Sequence, residues 1–549
     1  MSNNDYQKKV AYFSMEIAID QTMKTYSGGL GFLAGSHMRS AYELNQNLVG
    51  VTMLWKYGYY DQVRAENSHM EAKFIQKFYS FLEDTGITVD IKVHDGLVKV
   101  KAYLLRPEIF GTAPIYFLST DLPENDYVSQ TICHHLYDSN LSTRIAQEII
   151  LGAGGAKVLE QVGDIDIYHM NEAHPLPLTF YLYSKHRDFE KLRSQVVFTT
   201  HTPEKAGNSE YDFNLLFKMN YFSGLEPEEV YQISGERGEK MGCTPAGLRM
   251  SKKANAVSQL HKEVARDMWK DVVDPRHILG ITNSQNAKYW QDYKLARHLK
   301  SGDDEALLAR KKELKKRLFH EVALQEGDLF DENVLTIVWA RRFAAYKRPE
   351  LITRDLYQFL DLLKDSEYPV QIIWAGKPYP KDHGAVEIFN HLIDITYTHK
   401  NCAILVGYEL DLSAKIKKGA DIWLNTPRIT REASGTSGMT ASMNGALNLS
   451  INDGWIPEYA KEGENCFIIP SRTDFNSIEE QDDADFDALM KVLKEQVLPT
   501  YYKNPKKWLE MMKASMQDIF PFFESGRMAD QYYRELYNAE VKEDLVIKK

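Results

Sequence analysis

The run Arg341-Arg342-Phe343-Ala344-Ala345-Tyr346-Lys347-Arg348 places four cations in eight residues of a chain whose formal net charge is −11. It follows directly on the apolar stretch Val334–Trp339. At that place Arg342 and Lys347 can converge on one phosphate at the opening of the next element. A second segment, Arg431-Glu432-Ala433-Ser434-Gly435-Thr436-Ser437-Gly438-Met439, sets small and hydroxyl residues ahead of an expected helix. Ser434, Gly435 and Thr436 suit an anion-accepting backbone nest. Glu432 either accepts hydrogen bonds from sugar hydroxyls or caps the helix. A third segment, Tyr26-Ser27-Gly28-Gly29-Leu30-Gly31, lets the backbone approach a ligand ahead of a helical run at Leu33–Leu44. It is not a Walker loop, because no Gly-Lys-Ser/Thr follows, and a tight strand–helix turn is the competing reading.

Two further motifs end apolar strands, where α/β sheets present ligand groups. His169-Met170-Asn171-Glu172-Ala173-His174 offers Asn171, Glu172 and His174, and Thr199-Thr200-His201-Thr202-Pro203 offers His201. A metal centre is not expected, since no third ligand stands at a recognisable spacing. His320-Glu321 opens a zincin-like pattern, but Leu324 holds the second histidine position.

These motifs must be positioned by the elements between them. Short β-branched runs recur at Val10–Phe13, Val49–Leu54, Ile165–Met170, Val196–Thr200 and Ile278–Thr282. A second series follows at Val334–Trp339, Val370–Trp374, Ile404–Val406 and Ile422–Asn425. Continuous apolar runs separated by amphipathic helices predict an α/β fold with two parallel sheets. Asp303 or Asp304 caps an expected helix carrying Leu307, Leu314, Leu318 and Val322. The boundary is placed near residue 285. It separates a domain over 1–284, with an insertion or β-meander around 57–126 that includes Leu97–Leu105, from a domain over 285–499. Residues 500–549 read as helices that pack back on the N-terminal domain.

Composition narrows the function further. With 66 Lys+Arg against 77 Asp+Glu, a polyphosphate backbone is a poor partner. No window has the roughly 18 apolar residues that span a bilayer, and MSNNDYQKKV has no signal-peptide core. Cys133, Cys243, Cys402 and Cys466 form no CxxC pair, as expected of a cytoplasmic protein.

In order, these blocks resemble the glycogen/α-glucan phosphorylase family over nearly the whole chain. Ala11-Tyr12-Phe13-Ser14-Met15-Glu16 looks like the start of its short bacterial branch. The Tyr26–Gly31 loop, Gln147-Glu148-Ile149-Ile150-Leu151-Gly152, Asn171–His174 and Thr200–Pro203 look like successive family blocks. Ile281-Thr282-Asn283, Arg342–Arg348 and Glu432–Met439 complete the series. The resemblance implies a GT-B architecture, two Rossmann-like domains facing across a central cleft. It implies retaining α-glucosyl transfer on an α-1,4-glucan such as glycogen or maltodextrin. By position, the His201 backbone carbonyl and the side chains of Asn283 and Glu432 hold the glucosyl unit. Arg342 and Lys347 hold the phosphate, and the Gly28–Gly31 loop approaches it from the other domain. An oxocarbenium-like transition state then draws on phosphate, carbonyl dipole and excluded water rather than on a carboxylate pair.

One position departs from the family. Its pyridoxal-phosphate lysine stands eight residues after the glutamate, where this chain has Thr440. Threonine cannot form the Schiff base, so no covalent cofactor is expected. Three readings stand: a phosphorylase with noncovalent cofactor, a nucleotide-sugar glucosyltransferase like glycogen synthase, or an inactive glucan-binding or regulatory homologue. The partners implied are an α-glucan or maltooligosaccharide and either phosphate/glucose 1-phosphate or a nucleotide-glucose. A homo-oligomer is compatible with the sequence. A length of 549 leaves little room for the regulatory N-terminal extension of larger phosphorylases. Trp455 lies near the Glu432 block but takes no subsite from sequence alone.

Overall fold

Strands such as Val10–Phe13, Leu335–Ala340 and Val370–Ala375 are buried at every position. That burial accounts for their largely apolar sequence, interrupted by Thr336 and Gln371, because helices cover both faces of a parallel sheet. The computed structural model describes residues 4–520 and 522–540; positions 541–549 of the expected C-terminal helical segment lie outside the described residues. The chain divides into two units, one of Met1–Tyr60, Phe74–Asn283 and Ser525–Lys549, the other of Asp61–Lys73 and Ser284–Glu524. The 500–549 segment is therefore shared, passing to the first unit at Ser525.

The first unit is built on a nine-stranded sheet. From one edge its strands are Ile278–Gly280, Lys253–Ala256, Val196–Thr199, Ile167–Asn171, Val10–Phe13, Leu48–Met53 and Ile115–Ser119. All of these pair in parallel. The antiparallel hairpin Glu83–Val93/Gly96–Leu105 completes the other edge. Counted in chain order, the parallel strands run 7-6-5-4-1-2-3. The order reverses between Val10–Phe13 and Ile167–Asn171, and a crevice opens beyond the carboxyl ends of strands at such a point. The core beneath includes Tyr12, Leu33, Met38 and Phe117, closed by Met528, Tyr532, Tyr533, Leu536 and Tyr537 from the end of the described chain.

The second unit holds a six-stranded parallel sheet. Its strands lie in the order Cys402–Leu405, Val370–Ala375, Leu335–Ala340, Ile422–Asn425, Leu447–Ile451, Cys466–Ile469. In chain order this is 3-2-1-4-5-6, the arrangement of a dinucleotide-binding sheet. Here the reversal falls between Leu335–Ala340 and Ile422–Asn425, the strands that lead into the Arg341 and Glu432 segments. Trp339, Trp374 and Phe389 fill its core. A two-stranded hairpin, Asp61–Arg64/Met70–Lys73, joins this unit from the other end of the sequence. Gln62 spans two strand ends, donating to the Gly376 carbonyl at 3.0 Å and accepting from the Gly407 N–H at 3.0 Å.

The two expected parallel sheets are present, with differences at their margins. Lys253–Ala256, Leu447–Ile451 and Cys466–Ile469 are strands that the sequence pattern does not single out. The Leu33–Leu44 helix begins earlier, at Gly29, because Gly28 stands at its N-cap. Among the described residues no helix is long and apolar enough to cross a membrane, and the four cysteines are free and buried.

Candidate functional site

In the first unit the strand-order reversal gathers residues from three motifs. Glu16, just past the Val10–Phe13 strand, accepts from the Ser27 N–H (2.6 Å), the Ser27 hydroxyl (2.9 Å), the Gly28 N–H (3.1 Å) and the Tyr137 hydroxyl (2.8 Å). One carboxylate thus fixes the glycine loop. Because it takes the Ser27 and Gly28 N–H groups, the loop's approach to an anion falls to the next N–H groups at the helix start. Gly28 and Gly29 have open space where a Cβ would stand, whereas a Cβ at Gly31 would lie 2.7 Å from Glu16 Oε2. Glu16 is a site residue that sequence reasoning missed; its signal, an acid directly after a strand, is too common to act on.

Asn171 ends its strand fully buried, donating to Ser14 Oγ at 3.2 Å and bonded to His201 Nε2 at 2.7 Å. Glu172 adopts a positive φ of 70° and accepts from the His201 N–H at 2.7 Å and the Thr202 hydroxyl at 3.3 Å. Burial pushes the Glu172 carboxyl up to about 7, against the pull of those backbone and hydroxyl donors. Burial, with His261 and His174 nearby, lowers His201 to about 3, so its ring is neutral at physiological pH. His174 is likewise lowered to about 4 by burial, and its ring lies 5.7 Å from that of Tyr137. Asn283 is 4% exposed, and its Oδ1 has no hydrogen-bond partner among the described residues. A buried unpaired amide oxygen is an acceptor waiting for a hydroxyl. His169 belongs to the core instead, tied to Tyr537 and Thr199 at 2.7 Å each.

In the second unit the four cations of the Arg341–Arg348 run separate. Arg341 and Lys347 turn inward to one atom, Glu432 Oε2, at 3.1 and 2.5 Å. Arg342 is exposed and acts on Glu432 through its charge at longer range. Arg348, with φ 48° and 1% exposure, faces away from the anion cluster. It donates to the Thr426 and Pro427 carbonyls and pairs with Asp482 (2.8 Å) and Asp485 (2.7 Å). That clamp holds the turn bearing Lys347 from behind. The expected convergence of Arg342 with Lys347 therefore becomes, among direct contacts, a convergence of Arg341 with Lys347. Adjacent residues leaving a strand point to opposite sides.

Burial alone would raise the Glu432 carboxyl, but Lys347 and Arg341, with Arg342 beyond them, hold it below the usual range. Asp453 accepts from the Glu432 N–H at 3.0 Å and, 2% exposed itself, is pushed up to about 7 by burial. Gly454, at φ 63°, is required because a Cβ would meet the Ser434 carbonyl at 2.3 Å. Gly376, at φ 154°, is required because a Cβ would stand 1.9 Å from the Arg341 carbonyl. Ser434 Oγ is buried with no partner among the described residues. Gly435 (φ 89°) and Thr436 complete the turn into the helix Ser437–Ser442. Trp455 is core, its ring 4.8 Å from Tyr459 and 4.9 Å from Phe523. Among the described residues no group of His, Cys, Asp and Glu is arranged to hold a metal.

Pyridoxal phosphate, which phosphorylases normally use, meets a divided donor set. Its phosphate end suits the cations around Glu432. Position 440 does not suit its aldehyde: the Thr440 hydroxyl is fully buried, donates to the Ser437 carbonyl at 2.9 Å, and offers no amine.

A family model described as carbohydrate phosphorylase matches residues 264–475. The chain is 32% identical to the maltodextrin phosphorylase of Thermococcus litoralis, covering 99% of this chain and 72% of that one. It is 30% identical to the glycogen phosphorylase of Aquifex aeolicus, covering 98% and 87%. It is 46% identical to an uncharacterized protein of Methanocaldococcus jannaschii, covering 96% and 100%. With the buried glutamate–lysine–arginine cluster at the strand-order reversal, these matches make the chain a member of the carbohydrate phosphorylase family of glycosyltransferases.

Proposed function

We propose that this protein is a retaining α-glucan phosphorylase, moving an α-glucosyl unit between an α-1,4-glucan and phosphate. The observation that carries the reading is Glu432 held ionised between Lys347 and Arg341 at the sheet's reversal point. Both cations take Oε2, which leaves Oε1 to accept a sugar hydroxyl. Lys347, Arg341 and the exposed Arg342 form the electropositive seat for phosphate, worth about 2–4 kcal/mol per oriented donor in the transition state. Asn283 Oδ1 and the His201 carbonyl are assigned to the glucosyl unit, with Asn171, Glu172 and His174 shaping the loop that presents His201. Ser434, Gly435, Thr436 and the Gly28–Gly31 loop are assigned to the polar rim of substrate and phosphate.

The shared strand order of the two sheets supports the finer reading of a GT-B enzyme whose halves jointly enclose the substrate. Buried free thiols support a reducing, cytoplasmic setting. When bound, pyridoxal phosphate supplies a phosphate group able to exchange a proton with the substrate phosphate. Arg341, Arg342 and Lys347 are the residues suited to hold that end.

The test is a donor screen. The full-length protein is given maltoheptaose with phosphate, and separately glucose 1-phosphate, ADP-glucose or UDP-glucose with a maltooligosaccharide, with and without pyridoxal phosphate. Release of α-glucose 1-phosphate from glucan is the expected result. Transfer from a nucleotide sugar alone, or glucan binding without any turnover, would refute it.

A further inference from the structure

His201 and Asn283, the first unit's residues assigned to the glucosyl unit, leave the ends of two strands, and one imidazole lies at the end of the strand between them. Lys253–Ala256 pairs in parallel with Val196–Thr199 on one side and with Ile278–Gly280 on the other. Beyond the strands the bonding continues: the Thr200 N–H donates to the Asn255 carbonyl at 3.0 Å, and the Asn283 N–H to the Val257 carbonyl at 3.0 Å. The middle strand then turns at Ser258 into the helix Gln259–Met268, whose first turn carries His261. Ser258 caps that helix by accepting from the His261 N–H at 3.0 Å. His261 is 1% exposed, and its ring folds back so that Nδ1 accepts from the Val257 N–H at 3.3 Å. Val257 is thus held by His261 through its N–H and holds Asn283 through its carbonyl.

The other ring nitrogen addresses the His201 loop. Burial lowers the ring to about 4, so it is neutral at physiological pH and carries a single N–H. Nδ1 is the acceptor, which puts that hydrogen on Nε2. The Thr202 backbone opposes the effect of burial on the ring. A backbone carbonyl does so by accepting the ring N–H, which sets Thr202 opposite Nε2. Nε2 has no hydrogen-bond partner of ordinary length among the described residues, so this contact is a long one.

We propose that His261 is a positioning residue for glucosyl recognition: one imidazole sets the spacing between the His201–Thr202 loop and Asn283, the two segments that hold the sugar. The inference rests on the assignment of those segments made above and extends it to a side chain that touches no substrate itself. Two buried polar atoms on these segments, Thr200 Oγ1 and Asn283 Oδ1, have no partners among the described residues. Their aim is set by the backbones behind them, and recognition of a hydroxyl requires those to be held within about 0.5 Å. Asn171 and Glu172 fix His201 through its Nε2 and its N–H; His261 relates that loop to Asn283.

The experiment is calorimetric titration of the full-length protein with glucose and with each of its monodeoxy derivatives, in wild type and in variants at one position. His261→Asn keeps an acceptor near the place of Nδ1, His261→Gln keeps an N–H near the place of Nε2, and His261→Leu keeps neither. Wild type is expected to bind glucose roughly tenfold more tightly than at least one monodeoxy sugar, the worth of one hydrogen bond. In His261→Leu that preference shrinks to within about twofold, and in His261→Asn and His261→Gln it falls between. A ratio of affinities does not move with the fraction of folded protein, so a loss of fold does not mimic the result. An unchanged preference in His261→Leu overturns the proposal, as does a wild type with no preference among these sugars. If circular dichroism shows that His261→Leu does not fold, a wild-type preference in both other variants overturns it. Glucan phosphorolysis followed in parallel separates the two readings. A preference that depends on position 261, without phosphorolysis, sinks the phosphorylase and leaves the histidine. Phosphorolysis with a preference indifferent to position 261 sinks the histidine and leaves the phosphorylase.

Discussion

Replacing Lys347 with methionine isolates the central contact of the second unit. Its Nζ lies 2.5 Å from Glu432 Oε2, with the two side chains 10% and 9% exposed. Methionine keeps most of the side-chain volume and removes the charge. Arg341 then remains as the direct partner, at 3.1 Å. Breaking one partner of a buried ion pair costs about 3–5 kcal/mol; with Arg341 still in place the lower end, about 3 kcal/mol, is expected. At roughly 2.1 cal/mol/K of unfolding entropy per residue, that lowers Tm by only about 3 °C for a chain of this size. Loss of an oriented cation at the phosphate seat removes about 2–4 kcal/mol of transition-state stabilisation, or roughly a 30- to 1000-fold fall in kcat/KM. The pH dependence follows from the sign of the Glu432 shift. In the wild type this carboxyl lies below its ordinary 4.5. Its contribution to stability is therefore full above about pH 4.5 and is lost as pH falls through the lower folded value. In Lys347→Met burial is opposed by Arg341 and the more distant Arg342 without the lysine, so the Glu432 carboxyl rises relative to wild type and the acid limb of kcat/KM moves to higher pH. The assay is glucose 1-phosphate release against pH, with calorimetry on the same samples. A variant within threefold of wild-type kcat/KM, or one with an unmoved acid limb, would refute the assigned role.

Two further substitutions test the frame. Glu148 accepts from the Tyr211 and Tyr221 hydroxyls, and burial raises its carboxyl from 4.5 to about 7. A raised carboxyl favours the fold at low pH and loses that advantage as pH climbs through its folded value. Glu148→Gln should therefore be more stable than wild type at pH 8, by up to about 3 kcal/mol, and show no such slope in urea denaturation between pH 5 and 8. An unchanged slope would mean that the carboxyl is not perturbed. Gly376→Ala forces a methyl onto the Arg341 carbonyl; it should lower Tm and raise KM for phosphate together, and a KM equal to wild type would show that strand end to be uncoupled from the anion seat.

The catalytic reading was legible because its residues sit close in sequence to strand ends. Asn171 ends a buried strand, His201 comes just after one, and Lys347 and Glu432 stand on the loops that leave Leu335–Ala340 and Ile422–Asn425; a strand's apolar run announces where its carboxyl end falls. What stayed hidden depends on angles and distant pairings. Which of Arg341 and Arg342 turns inward is set by the backbone rotation after Ala340, and both are arginines. Arg348 looks like one more phosphate ligand until Asp482 and Asp485, more than a hundred residues away, take its guanidinium. Lys253–Ala256 has too few β-branched residues to read as a strand and is one because Val196–Thr199 and Ile278–Gly280 flank it.

The chain changes units after Tyr60, Lys73, Asn283 and Glu524. Tyr532, Tyr533 and Tyr537 belong to the core that also contains Tyr12 and Leu33. During synthesis, then, the first unit waits with an open apolar face while the whole second unit emerges, and it closes only when the residues after Glu524 arrive. Its nine-stranded sheet is exposed to aggregation for that interval. A cut near residue 285 yields a fragment without the aromatic residues that seal its core, so dissecting this enzyme into halves requires grafting the C-terminal segment back onto the first.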